Sequence, residues 1–519
     1  MSGVQSCNKD LSSVAPVSTL TPNKINQLQT VFAKSLGQAL KQDPELRAFL
    51  QTESLKQFDQ DYDILYQMVK DTPINNGETL RERLIHYLPT DELASIEHQL
   101  PLLTIFIPTL PSGFSPETWH PAQEVPSIAV RQLNDGKTPL FNAVSGEQTI
   151  IEPGVIPGFP TLVVKQNERV VLSTNTPVLG EVTKPFYQNG QFSFQFSAPA
   201  YNGIQKSIST KTSDEKSKAA GSSRVGYDSQ SGDGTFTMSY RNIQAYNIYT
   251  VDPSYQWQRD FVYYNLSPTT PKGRFRDSFR ETIRAFRLSN AGIEKISGSS
   301  GNPTTPTIGS SNFTTNSWTD GRYEFLIVVL FNPKDGSPPQ TNIRFSAKPS
   351  EVYDINYQIR NLWGSVNYYT VTSVTPKEFH PEIAIAAWDL SNFGTAWTYH
   401  VYEENQTVVH TEQQRVSTTY AANFEYDASF GAIVKSGVKF GANASTTNEK
   451  TVTLQFTEGS TDLGEKISYF YDPIIVNTTS RYPFSPAYNT YDLPTGGTAG
   501  NVYLSVEPYS LIPSENYVQ

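Results

Sequence analysis

Between residues 424 and 444 the apolar side chains keep one parity over a length that few strands reach. Phe424, Tyr426, Ala428, Phe430, Ala432, Val434, Val438, Phe440, Ala442 and Ala444 share it, and only Ser436 interrupts them. The other parity holds Asn423, Glu425, Asp427, Ser429, Lys435, Lys439, Asn443 and Ser445, with Ile433 the exception. Successive side chains of a strand point to opposite faces, so the pattern predicts one very long amphipathic strand over 424–444. A polar turn is expected at Ser445–Lys450. Val452, Leu454 and Phe456 then alternate with Thr451, Thr453, Gln455 and Thr457 as the returning strand of a hairpin over 424–457.

A strand of this kind needs a partner sheet, and much of the remaining chain has the same texture. Short apolar runs bounded by Pro and Gly predict strands at Leu102–Ile107, Ser127–Leu133, Thr161–Leu172 and Gln191–Ser197. Further strands are expected at Phe236–Tyr249, Phe325–Phe331, Asn342–Ser346, Tyr368–Ser373, Ile383–Trp388 and Thr398–Glu403. Helical spacing is confined to the N-terminal part and to one later segment. After the Thr21-Pro22 start, Ile25, Leu28, Phe32, Leu36 and Leu40 form one face, and Leu55, Phe58, Tyr62, Leu65 and Val69 form another. Lys272–Arg287 has Phe275, Phe279, Ile283 and Phe286 on one side. It reads as an amphipathic helix with Arg276, Arg280, Arg284 and Arg287 on the other side. That stripe could meet lipid headgroups, although Asp277 and Glu281 offset it.

The expected architecture is therefore mainly β, with antiparallel sandwich-like domains and a small N-terminal helical region. Its segments are a polar tether (1–20), the helical region (21–100), a β domain (101–205) and a Ser/Lys/Gly-rich loop (206–234). Strands with the amphipathic helix (235–296), a linker (297–317) and a C-terminal β region with the long hairpin (318–519) complete it. Three or four domains suit 519 residues.

Composition excludes some functions. A net charge of −10 argues against nucleic-acid binding, which needs a basic surface. No run approaches the ~18 apolar residues of a membrane-spanning helix. The single cysteine, Cys7, rules out an intramolecular disulfide and thiolate metal clusters. The histidines show no metal-ligand spacing, and Asp59, Asp61 and Asp63 lack the Gly and terminal Glu of a calcium loop. No nucleophile elbow, phosphate loop or dinucleotide fingerprint is present. His380, Glu382 and His400 could converge only through the fold. No catalytic residue, metal or cofactor is expected. Trp257, Tyr263, Trp388 and Trp397 are the candidate aromatic platform for a glycan, or else core.

Val4-Gln5-Ser6-Cys7-Asn8-Lys9-Asp10 resembles the lipidation site of a Bacteroidetes surface lipoprotein, with Cys7 as the acylated residue. Phe58–Tyr66, Leu100–Leu110, Phe114–Trp119, Trp257–Tyr264 and Asp462–Pro473 are similar to stretches in uncharacterised proteins of that type. The resemblance implies a bacterial secreted or outer-surface location and no catalytic residue. The 424–457 hairpin resembles the stem of aerolysin-type pore-forming toxins, with Phe424, Tyr426, Phe430, Val434, Val438, Phe440, Val452, Leu454 and Phe456 facing lipid. At about 3.4 Å per residue a single 424–444 strand would reach roughly 70 Å, beyond a bilayer, so it would need an extramembrane stem.

The leading expectation is a non-catalytic lipid-anchored or secreted β-protein that binds a partner or glycan at the cell surface. The second is a β-barrel pore-forming toxin or effector, membrane-inserting and oligomeric. The third is an extracytoplasmic glycan hydrolase.

Overall fold

The computed structural model describes residues 20–173, 184–203, 239–249, 258–298 and 317–516, apart from short gaps at 76, 134–136, 268–269, 271–272, 320, 332, 336, 362–366, 395, 405–408, 458–460, 471–473, 483–484, 489 and 495–499, and a longer one at 421–445. The fold is mainly β, built from several antiparallel sheets.

In the N-terminal lobe, Thr21 caps α1 (Pro22–Gln42), with Pro22 at its first position, and Asp43 caps α2 (Pro44–Ser54). Strand β1 (Asp63–Leu65) then precedes the short helix α3 (Tyr66–Val69). The helices α4 (Leu80–Ile85) and α5 (Thr90–Gln99) follow, and lead into β2 (Leu103–Phe106). The strands β3 (Ser127–Val130), β4 (Thr138–Phe141), β5 (Gln148–Ile151), β6 (Val155–Pro157) and β7 (Thr161–Gln166) come next. The sheet runs β1-β2-β7-β3-β4-β5, with β3 and β7 parallel and the other pairs antiparallel. Helix α1 buries Phe32, Leu36 and Leu40 in one core with Ile128, Leu162 and Val164 of the sheet, so helices and strands share a single lobe. The helical face expected over Leu55–Val69 is interrupted. Residues 55–62 turn and Asp63–Leu65 is a strand.

Beyond β8 (Val170–Leu172), β9 (Tyr187–Gln188) and β10 (Ser193–Phe196), the helices α6 (Tyr240–Tyr249) and α7 (Gln258–Tyr264) open the second lobe. Its strands begin with β11 (Phe279–Leu288), β12 (Tyr323–Leu330) and β13 (Gln340–Ala347). Next come the hairpin β14 (Tyr353–Asn361) and β15 (Asn367–Pro376), then β16 (Ile383–Ala386) and β17 (Ala396–Glu404). The last are β18 (Val409–Tyr420), β19 (Thr446–Thr457), β20 (Thr461–Tyr469), β21 (Ile475–Tyr482), β22 (Ser485–Tyr488), β23 (Thr490–Pro494) and β24 (Gly500–Ser510). Two four-stranded sheets, β16-β11-β24-β23 and β13-β12-β17-β20, face each other across a shared core. Phe286 of the first sheet meets Phe325 and Phe345 of the second at ring separations of 4.6 and 5.2 Å. Strand β6 joins β15 and so ties this lobe to the first.

Two expected elements change type. Lys272–Arg287 is not a helix, because Phe279–Leu288 is strand β11, paired on both edges with β16 and β24. The register of β11 against β24 shifts between Ile283 and Ala285. A bulge inserts one residue, so Phe279, Ile283 and Phe286 all reach the core at spacings of four and three, which imitates a helix. In the other direction, Tyr240–Tyr249 is helical although its aromatic, branched composition reads as strand. Its Asn242 is buried and hydrogen-bonds the Pro508 carbonyl, so docking on β24 overrides propensity.

The Arg stripe is thereby split. Arg284 is buried between Glu507 (2.9 Å) and Glu382 (2.5 Å), and Arg259 of α7 meets Glu281 at 2.7 Å. Burial raises the Glu507 carboxyl to about 7, against the pull of Arg284. A folded-state pKa above the unfolded value contributes stability at low pH that is lost as pH rises through the folded pKa. At about 1.4 kcal/mol per unit, Glu507 alone contributes a change on the order of 3 kcal/mol across roughly pH 4.5 to 7. The melting temperature should therefore fall between about pH 5 and pH 8. The Glu507→Gln variant should melt with a clearly smaller pH dependence; an unchanged slope would refute the assignment.

Candidate functional site

Strands β17 and β20 pair antiparallel from Ala396↔Tyr469 to Glu403↔Thr461. Strands β18 and β19 then pair from Val409↔Thr457 to Tyr420↔Thr446 without a register shift. The two ladders follow one another in sequence on both strands, with registers that differ by two residues between Glu403↔Thr461 and Val409↔Thr457. The β17–β20 pair is anchored beside β12 in the sandwich, whereas β18 and β19 form a two-stranded sheet.

The anchored and distal parts do not form one straight ribbon. The chain enters β17 from the turn of helix at Leu390–Phe393 and leaves at Glu404. Yet β18, which starts after that exit, brings Cα atoms within 8 Å of Leu390–Phe393. A nine-residue strand is about 30 Å long, so the β18–β19 ribbon must double back along the sheet from which it grows. At twelve residues per strand and roughly 40 Å, it is long enough to do so.

Parity sorts that sheet into two faces. Phe325, Ile327, Val329, Tyr399 and Val401 fill the main core. Leu326, Val328, Leu330 and Tyr402 point to the opposite side, where they are equally buried and form a separate cluster.

The expected turn at Ser445–Lys450 is replaced by strand, since Thr446–Lys450 opens β19. The partners of the returning strand differ as well. Val452, Leu454 and Phe456 stand opposite Gln414, Glu412 and His410, not opposite 424–444. Directly opposed residues share a face. One face of the ribbon therefore presents Val409, Thr411, Gln413, Arg415, Ser417 and Thr419 against Thr457, Gln455, Thr453, Thr451, Glu449 and Thr447. In sequence that parity is polar along nearly its whole length. Phe424, Tyr426, Phe430, Val434, Val438 and Phe440, like Cys7 and Trp257, lie outside the described residues.

The other candidates are placed by burial. Tyr263, Trp388 and Trp397 are each 0% exposed and pack edge-to-face with one another's neighbours: Tyr263 on Trp388 at 5.5 Å, and Trp388 and Trp397 on Phe470 at 5.6 and 4.8 Å. A fully buried ring cannot cover a sugar, so these three are core and form no platform. His380 and Glu382 both serve Arg284, one at its carbonyl (3.0 Å) and one at its guanidinium, while His400 lies on β17 near Glu465. They do not converge.

Sequence reasoning missed a buried ionic cluster at the junction of the lobes. Arg169 meets Glu324 of β12 at 2.7 Å and Asp61 at 3.3 Å, with Asp59 and Asp63 each 3.7 Å away. Lys165 bridges Asp63 (3.3 Å) and Glu168 (2.8 Å), and Asn167 donates to Asp59 and Asp63. Burial raises the Asp59, Asp63 and Glu324 carboxyls, the last to about 7, whereas the surrounding cations hold Glu168 below its ordinary value despite its burial. Gly321 makes room for the cluster: at φ +85°, a Cβ would stand 2.2 Å from an Asp61 oxygen. The three aspartates thus hold a guanidinium and an ammonium. Among the described residues no group of three or more His, Cys, Asp or Glu is placed to hold a metal ion.

No known protein family, curated protein or solved structure matches this chain.

Proposed function

We propose that this is a membrane-inserting β-protein that stores a pore-forming hairpin folded against its own sandwich and acts as an oligomer on the membrane. The carrying observation is the doubled-back β18–β19 ribbon, itself free of register shifts, which follows in sequence on both strands of the anchored β17–β20 pair. The ribbon lies beside the Leu390–Phe393 turn and β17.

The register also removes the length problem of a single 21-residue strand. A hairpin that keeps it past Tyr420 and Thr446 pairs Phe424 with Ala442, Tyr426 with Phe440 and Ala428 with Val438, and turns near Ile433. Both irregularities of the alternation, Ile433 and Ser436, then fall at the turn. Each arm has about eight to ten residues of strict alternation, close to the ~9–11 that a tilted strand needs to cross a bilayer. Opposed residues keep one parity, so the apolar face is continuous across both arms, while Glu425, Asp427, Lys435 and Lys439 face water. The β18–β19 ribbon, polar on one parity, is the extramembrane stem, so Val452, Leu454 and Phe456 stand outside the bilayer in this reading. Acylation at Cys7, or secretion, would bring the chain to the outer surface of a cell.

The test is dye release from liposomes by the purified protein across a series of lipid compositions. Dose-dependent release is expected on at least one composition. Absence of release on all of them sinks the proposal.

A further inference from the structure

A second feature of the sandwich points to how such a protein would meet its membrane. Leu511 and Ile512 follow directly on β24 and expose 61% and 48% of their surface, and Phe275 exposes 38%. The two segments are neighbours, because the Leu511 amide donates to the Ser278 carbonyl at 2.9 Å. The Arg274–Asp277 segment is held firmly. The Arg276 amide donates to the Tyr263 carbonyl (2.8 Å), and Phe275 stacks on Tyr263 at 6.0 Å. A Cβ on Gly273 would stand 1.3 Å from the Tyr264 carbonyl oxygen, so only glycine allows this approach.

The charge around these apolar side chains is opposite to that of the whole chain. Arg274 and Arg276 flank Phe275 in sequence, Arg241 lies close to Arg276 and Arg280 follows, against Asp277 and Glu515, in a protein of net charge −10. Asp277 accepts from Arg280 through its carbonyl, and Glu515 is engaged by Ser278 and Ser510. Burial and the neighbouring Arg241 depress the Arg276 guanidinium, and its Nε has no hydrogen-bond partner among the described residues. The patch carries four arginines against two carboxylates, a local excess of positive charge. The patch also shares an end of the sandwich with the returning ribbon. Phe275 stacks on Tyr263, Tyr264 donates to Asp389 at 2.8 Å, and the next residue begins the Leu390–Phe393 turn along which β18 lies.

We infer that Phe275, Leu511 and Ile512, with Arg274 and Arg276 flanking Phe275 and Arg241 close to Arg276, form a docking surface for a bilayer rich in anionic lipid. The apolar side chains enter the headgroup boundary and the arginines meet lipid phosphates and carboxylates. This deepens the membrane reading, but its test reads binding, not leakage. The experiment is flotation of the full chain with vesicles of phosphatidylcholine alone or with about 30% phosphatidylserine added to supply a negative surface potential.

Wild type should float with the anionic vesicles and remain behind with the neutral ones. Each arginine near such a surface contributes about 1 kcal/mol, so Arg274→Ala/Arg276→Ala should weaken binding roughly thirtyfold. Raising the salt should weaken wild type in the same direction. Leu511→Ser/Ile512→Ser, at two exposed positions, should lose binding with an unchanged melting temperature. Dye release read on the same vesicles separates docking from insertion, because binding without leakage supports this inference alone. Equal flotation with neutral vesicles, none with anionic ones, or wild-type binding by both double variants would overturn the inference.

Discussion

Val438→Arg should abolish dye release from liposomes, whereas Val434→Arg should leave most of it intact. The two positions have the same parity and chemistry and are four residues apart. Only the register of the hairpin distinguishes them. In the arrangement proposed from β18–β19, Val438 stands opposite Ala428 in mid-arm, while Val434 sits beside the turn. An arginine on the lipid face costs about 2–4 kcal/mol at the bilayer midplane and about 0–1 near the interface. The cost recurs in every copy of an oligomeric barrel, so the mid-arm variant should fall more than roughly a thousandfold. Calcein release against protein concentration measures both. A single strand over 424–444 puts both positions mid-strand and predicts nearly equal losses, so equal effects would refute the register while leaving membrane activity itself standing.

Arg169→Met should leave the chain unable to fold stably. Four carboxyl groups, those of Asp59, Asp61, Asp63 and Glu324, lie within 4 Å of the guanidinium in a buried interior. Removing one partner from a buried ionic pair costs about 3–5 kcal/mol because the other charge is left uncompensated. That is a large part of the roughly 5–15 kcal/mol that separates folded from unfolded domains. Glu324→Gln is the control. With its carboxyl raised to about 7, Glu324 is largely protonated at slightly acidic pH, where Gln mimics it closely. Urea unfolding near pH 6 should show a small loss for Glu324→Gln and a collapse for Arg169→Met. Comparable losses would mean that the cluster does not depend on Arg169 as described.

The strands at Thr161–Gln166 and Tyr323–Leu330 were legible as short apolar runs, because each is buried on both faces. Strand β11 was not, because a bulge between Ile283 and Ala285 changes its period exactly where a helix would. Tyr240–Tyr249 was misread for a different reason: its composition favours a strand, and a hydrogen bond to the Pro508 carbonyl, more than 250 residues away, outweighs it. The aromatic cluster at Tyr263, Trp388 and Trp397 looked the same in sequence whether wet or dry. Only burial decided it.

Local periodicity determined what this chain could establish alone: a mainly β fold, an N-terminal helical element and a two-faced segment at 424–444. These follow from side-chain direction, which repeats every two or 3.6 residues and needs no partner. The pairing of the strand expected to return from that segment required tertiary structure. The partner of Val452, Leu454 and Phe456 is 409–420, and the ribbon they form returns along β17 toward Leu390–Phe393. The ionic cluster draws on residues 59, 61, 63, 165, 168, 169 and 324. Both depend on contacts between distant residues, whose pairing is chosen by the packing of the whole sandwich and leaves no period in the sequence.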